Sequence, residues 1–210
     1  MQPRMSTAEI ALFEGLLRCS QDYVEFGSGG STCLASGLVG RSILSVDSAE
    51  FWLQQVREAC AAAGAPAAGG PAAGGPAAGG PAAGVTVVPE LVGVDIGAVG
   101  NWGYPVDPTT HARWSAYHSD IWANPRAARA DLYLVDGRFR IACAMQVLRR
   151  CRPDALLLVH DFASRAHYHP IREVAQEIAT VEDLSLFRCP PARDMVQIHA
   201  LLDAYRFEPA

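Results

Sequence analysis

The stretch Val24-Glu25-Phe26-Gly27-Ser28-Gly29-Gly30-Ser31-Thr32 decides how this chain is read. Apolar residues lead into it, glycines crowd its centre, and small hydroxyl residues close it. Glycine lets a backbone turn tightly and approach a ligand, and a helix start just after it offers free N–H groups. The pattern predicts a strand over Asp22–Phe26, a turn, and a helix from about Ser31 to Leu38. Upstream, Ser6-Thr7-Ala8-Glu9 has the form of a capping box and opens a helix running to about Cys19. Downstream, Arg41–Val46 reads as a second strand and Ala49–Ala63 as a helix.

The alternation continues to the C-terminus. Val85–Val88 and Leu91–Val94 offer β-rich material for a third strand. Asp131–Val135 and Ala155–Val159 are near-continuous apolar runs, which suit central parallel strands covered on both faces. A helix over Phe139–Cys151 lies between them, and another is predicted from about Pro170 to Thr180. Leu184–Cys189 and Met195–Leu201, separated by Pro190–Asp194, suit a closing hairpin. The expectation is an α/β chain of one domain over 1–210, with a doubly wound, mostly parallel sheet and a C-terminal antiparallel hairpin. One segment departs from this pattern. From 64 to 84, Pro-Ala-Ala-Gly-Gly recurs in tandem without charge or aromatic residue, and it reads as a flexible surface insert.

Bulk properties narrow the function. The chain has 210 residues, half of them apolar and 19% charged, as expected of a globular protein with a real core. Its net charge of -5 argues against a nucleic-acid partner, because phosphate binding needs a basic surface. The cluster Arg138, Arg140, Arg149, Arg150 and Arg152 reads instead as cations complementing a helix C-terminus. The N-terminus lacks the apolar run of a secretion signal, and no apolar stretch is long enough for a membrane span. The six cysteines show no metal spacing and read as free, mostly buried thiols, so a cytoplasmic location is expected.

In open α/β sheets, functional residues gather beyond the carboxyl ends of the strands. The second strand ends at Asp47, about twenty residues after the glycine turn, where an acid can accept from both hydroxyls of a ribose. The third ends near Asp95, which either meets a ligand or starts the turn before Gly97. The fourth ends in Asp136-Gly137-Arg138 and the fifth in His160-Asp161-Phe162. Asp136, His160 and Asp161 are the candidate catalytic groups, any of which could serve as general base. His160 and Asp161 could equally cap the next helix. Trp102, Tyr104, Trp114, Tyr117 and Trp122 crowd the segment between the third and fourth strands. They suit a substrate lid, and equally a small subdomain core or a homodimer interface.

A dinucleotide fingerprint wants a third glycine where Thr32 stands, and it requires no acid ahead of the turn. With Glu25 leading, the motif is E-x-G-x-G, and from about Asp22 onward the chain resembles the class I, Rossmann-like S-adenosylmethionine-dependent methyltransferases. Small bacterial methyltransferase-like proteins share E-x-G-S-G-G-S-T, S-V-D-S and an Asp-Gly-Arg turn. The resemblance implies that Glu25 holds the methionine amino group, directly or through water. It implies that Gly27, Ser28, Gly29, Ser31 and Thr32 line the cofactor, that Asp47 and Ser48 meet the ribose, and that Asp95 lies near the adenine.

Asp136 with Asp161 resembles the acid pair that helps hold a divalent metal in catechol-type and macrocin-type O-methyltransferases. Phe162 stands where those enzymes add a third ligand, so no metal ligand is assigned. The implied activity is methylation of an oxygen, or less often a nitrogen, on a small molecule or saccharide. The alternatives are a binding protein that has lost catalysis and, more remotely, an NAD-dependent oxidoreductase.

Overall fold

The computed structural model describes residues 1–64 and 86–210. The repeat expected over 64–84 lies outside them, apart from Gly64. Among the described residues, seven strands form one sheet in the order β3-β2-β1-β4-β5-β7-β6. They are β1 (Asp22–Phe26), β2 (Ser42–Asp47), β3 (Glu90–Gly93), β4 (Leu132–Val135), β5 (Leu156–Val159), β6 (Gln176–Val181) and β7 (Leu184–Arg188). The helices are α1 (Thr7–Arg18), α2 (Gly30–Ser36), α3 (Glu50–Gly64), α4 (Ala116–Ser119), α5 (Arg140–Arg150) and α6 (Met195–Tyr205), with several 3₁₀ turns between them.

The side-chain period of two explains how this sheet is covered. On one face Val24, Phe26, Tyr133, Val135, Leu157 and Val159 pack against α5 and α6. The alternate residues Tyr23, Leu132, Leu134 and Leu158 pack on the other face against Phe13 and Leu17 of α1 and Ala35 of α2. Both faces of β1 and β4 are buried, and β4, Leu-Tyr-Leu-Val, is apolar on both. β1 lies parallel to β2 and β4, and the reversal of winding between them opens a cleft beyond their carboxyl ends.

The antiparallel hairpin exists, but other residues make it. β7 runs antiparallel to both β5 and β6, so it alone opposes the sheet. The helix expected over Pro170–Thr180 is instead a 3₁₀ helix, Ala166–Glu173, followed by β6. β6 is an edge strand whose exposure alternates residue by residue, so its sequence lacks the apolar run that marks a central strand. Met195–Leu201, expected as a strand, opens α6. Asp194 accepts the Gln197 N–H at 3.0 Å as its N-cap, and Ile198, Leu201 and Leu202 bury one helical stripe.

The third strand begins at Glu90, with Thr86–Pro89 outside it. The aromatic segment before β4 carries short helical pieces, the 3₁₀ turns Pro108–Arg113 and Asp120–Ala123 with α4 between them. Among the described residues no helix is long and apolar enough to cross a membrane. Five cysteines are buried free thiols, while Cys19 is exposed.

Candidate functional site

Beyond the carboxyl ends of β1, β2, β4 and β5 lies a cleft of about 1430 Å³. Its floor is the glycine turn. Gly27 has φ +103°, and a Cβ there would come within 2.6 Å of the Gly137 backbone, so the loops after β1 and β4 are pressed together. Gly27, Ser28, Gly29 and Ser31 all line the cleft.

Glu25 and Thr32 do not. Glu25 is fully buried under the turn, where its carboxylate accepts from Tyr23 Oη at 2.8 Å, Ser45 Oγ at 2.7 Å and Thr32 Oγ1. The Gly29 N–H in turn donates to Thr32 Oγ1 at 2.9 Å. Burial pushes the Glu25 carboxyl up to about 7, against the pull of these hydroxyls. Both residues therefore support the turn from beneath and have no direct reach into the cleft.

Asp47 occupies the wall beside this floor. Its carboxylate accepts backbone N–H groups from Ser28 at 3.1 Å, Ser48 at 2.7 Å and Ala49 at 3.1 Å. Burial raises its pKa, and the three N–H donors oppose that rise. Trp52 closes the same corner by donating Nε1–H to the Ser28 carbonyl at 2.6 Å. The Asn101–Gly103 turn packs directly over Asp47: a Cβ on Gly103 would lie 3.5 Å from Ser48 Oγ and 4.0 Å from Asp47 Oδ1. Ser48 Oγ and Arg138 Nε are buried here without a hydrogen-bond partner among the described residues. Asp95 lies elsewhere. It is largely exposed, accepts the Gly97 N–H at 2.8 Å and pairs with Arg113, the arrangement of a turn-starting aspartate. It is not among the residues that line the cleft.

The aromatic segment divides its roles. Trp102 and Tyr104 are exposed on the cleft rim, with Arg4 stacked 4.4 Å over the Trp102 ring and Arg138 at 6.0 Å from Tyr104. Tyr117 is buried, and Trp114 and Trp122 pack against the core. The N-terminal residues Met1–Arg4 also line the cleft, and the Gln2 backbone lies so near Gly30 that a Cβ there would sit 2.1 Å from it. Only the tertiary structure brings these four residues to the site.

Asp136, His160 and Asp161 converge in the same cleft beyond the ends of β4 and β5, with one ligand atom from each within 4.8 Å of the others. His160 Nδ1 is 2.9 Å from Asp136 Oδ1 and 3.8 Å from Asp161 Oδ1, while Nε2 is 3.7 Å from Glu9 Oε2 on α1. Burial works against its charge, but the bond to Asp136 and the fields of the three acids outweigh it, and the imidazole pKa is raised. Asp161 sits at φ +57°, a left-handed conformation held by its surroundings.

Arg140, absent from the sequence-derived candidates, lies at the centre. It is 3% exposed, and its Nη2 lies 3.3 Å from Asp136 Oδ1 and 2.9 Å from Asp161 Oδ2. It also donates to the carbonyls of Gly137 at 3.0 Å, Asp136 at 3.1 Å and His160. Arg165 adds a second guanidinium 2.9 Å from Asp161 Oδ2. Arg140 opens α5, where a cation opposes the helix dipole, whereas Arg149 and Arg150 end it as expected. That misplaced cation was the available signal.

The donor set does not fit a divalent metal. Magnesium needs several free oxygen ligands, and here Asp136 Oδ1 and Asp161 Oδ2 are already paired with the Arg140 guanidinium.

No protein-family model matches the chain, and no curated protein matches it. Solved structures do. A methyltransferase-like protein from Silicibacter pomeroyi is 26% identical, with a TM-score of 0.80 over 99% of this chain and 98% of that one. The O-methyltransferase TomG from Streptomyces achromogenes, solved with S-adenosylmethionine, is 15% identical, with a TM-score of 0.53 over 89% and 81% of the two chains. An O-methyltransferase from Bacillus cereus, solved with S-adenosylhomocysteine, is 12% identical, with a TM-score of 0.52 over 89% and 83%. The chain has the class I, Rossmann-like methyltransferase fold.

Proposed function

We propose that this chain is a single-domain S-adenosylmethionine-dependent methyltransferase acting on an oxygen of a small molecule. One observation carries the reading: a single cleft is lined by the glycine turn and Asp47 and also by the Asp136–His160–Asp161 cluster. The solved O-methyltransferases of the same fold support it. When bound, S-adenosylmethionine would supply a methyl group on a sulfonium. The backbone of Gly27–Ser31 would cradle its amino-acid part, and Asp47 would accept from the ribose hydroxyls once Gly103 moves aside. The partnerless Ser48 Oγ and Arg138 Nε mark further positions where ligand atoms would be met.

The residues of the cluster manage the proton. Asp136 Oδ1 is engaged by His160 and Arg140, which leaves Oδ2 without a protein hydrogen bond among the described residues. Oδ2 is the proton acceptor for the acceptor hydroxyl. His160, with carboxylates facing both ring nitrogens, orients Asp136 through its Nδ1 rather than serving as the base itself. Transfer then depends on alignment of nucleophile and methyl carbon plus removal of one proton. Trp102 and Tyr104 at the rim suit an acceptor with a planar or sugar ring.

A radiolabelled methyl-transfer screen against phenols, carboxylic acids and saccharides tests this. Label transferred to a hydroxyl compound is the expected result. Cofactor binding with no transfer to any class would favour a binding protein.

A further inference from the structure

A cluster of two aspartates and a histidine at paired strand ends has the composition of a divalent-cation site, since such N and O ligands suit manganese or magnesium. What fills its centre is the Arg140 side chain. The guanidinium is buried, joins Asp136 to Asp161, and is anchored by three carbonyls belonging to the ends of β4 and β5. Arginine keeps its charge under all ordinary conditions, and its flat fork bonds two acids at fixed geometry. A bound cation would do the same two things: neutralise both carboxylates and fix their spacing.

We infer that Arg140 is a built-in cation standing in the place of a divalent ion, a positioning residue that makes this site metal-independent and that conceals a latent metal site. The charge count agrees. Asp136 and Asp161 are faced by the guanidiniums of Arg140 and Arg165, so the acid pair is already neutralised without a divalent ion. The catalytic half of this inference rests on the proposed role of Asp136. The cation-binding half stands on the geometry alone, so the two can fail separately.

The experiment is manganese titration followed by electron paramagnetic resonance on the whole chain. Wild-type protein is expected to take up no Mn²⁺ at this cluster up to about millimolar concentration. Arg140→Ser, which removes the guanidinium and leaves space for an ion and water, is expected to bind one Mn²⁺ per chain at least roughly tenfold more tightly. Adding Asp161→Asn should abolish that gain, and Arg140→Lys should behave as wild type. One Mn²⁺ bound by the wild type and lost in Asp161→Asn would overturn the inference. So would a folded Arg140→Ser protein that gains no binding. Should Arg140→Ser not fold, the wild-type titration decides alone: uptake lost in Asp161→Asn overturns the inference, and its absence upholds it.

Discussion

The two parts of the cleft both hold acids at least half-buried, and they solve the same problem in opposite ways. At the glycine turn, Glu25 and Asp47 are surrounded by neutral donors, three hydroxyls for the first and three backbone N–H groups for the second. At the ends of β4 and β5, Asp136 and Asp161 are held by the guanidiniums of Arg140 and Arg165 and by the His160 imidazole. Neutral donors leave a carboxylate its field, which suits a wall that must attract a cationic cofactor and its hydroxyls. Fixed cations cancel the field but lock position, which suits a place where one oxygen must receive one proton. A buried carboxylate costs several kcal/mol unless it is satisfied, and each part satisfies it in the way its task allows.

The largest effect that could break this contrast is in the charged part. Asp136→Asn keeps the shape and removes the proton acceptor, so methyl transfer should fall by about a thousandfold with cofactor affinity unchanged. Steady-state rates alongside calorimetry check this. A loss below tenfold would move the base elsewhere, to Asp161 first.

The next effect is in the neutral part, and it is one of stability. The unfolded Glu25 carboxyl loses its proton near its ordinary 4.5, while the folded one keeps it to about 7. The folded chain therefore holds more protons between these values. The contribution to stability is full below pH 4.5 and is lost as pH rises through 7. Glu25→Gln cannot lose a proton, so it should be more stable than wild type at pH 8, by roughly 3 kcal/mol at most, with the difference closing below pH 4.5. Denaturant unfolding across that range measures it. A constant difference at every pH would show that Glu25 is ionised throughout.

Legibility in the sequence divides along the same line. β1, the turn and Asp47 are read from local spacing, because strand, glycines and helix start lie within a few dozen residues and each restricts the next. Asp136, His160 and Asp161 are equally visible as the last residues of apolar strands. Arg140 and Glu9 escaped because their partners come from other elements: Glu9 looked complete as a capping box, which it also is. Met1–Arg4 escaped for the same reason, since nothing local places them over Gly30. The hairpin residues were misassigned where an edge strand lacks an apolar run and a short apolar helix resembles a strand. Glu25 was found for its position, but its part in the turn depends on Tyr23, Thr32 and Ser45 closing around it.

The most direct test is calorimetry with S-adenosylhomocysteine on the wild type and on Asp47→Ala. One cofactor per wild-type chain is expected, with affinity at least about tenfold weaker in the variant, the loss expected when charged hydrogen bonds to a ligand are removed. Unchanged affinity in Asp47→Ala would contradict the placement of the ribose. Absence of binding to the wild type, with binding of NAD in its place, would contradict the account as a whole.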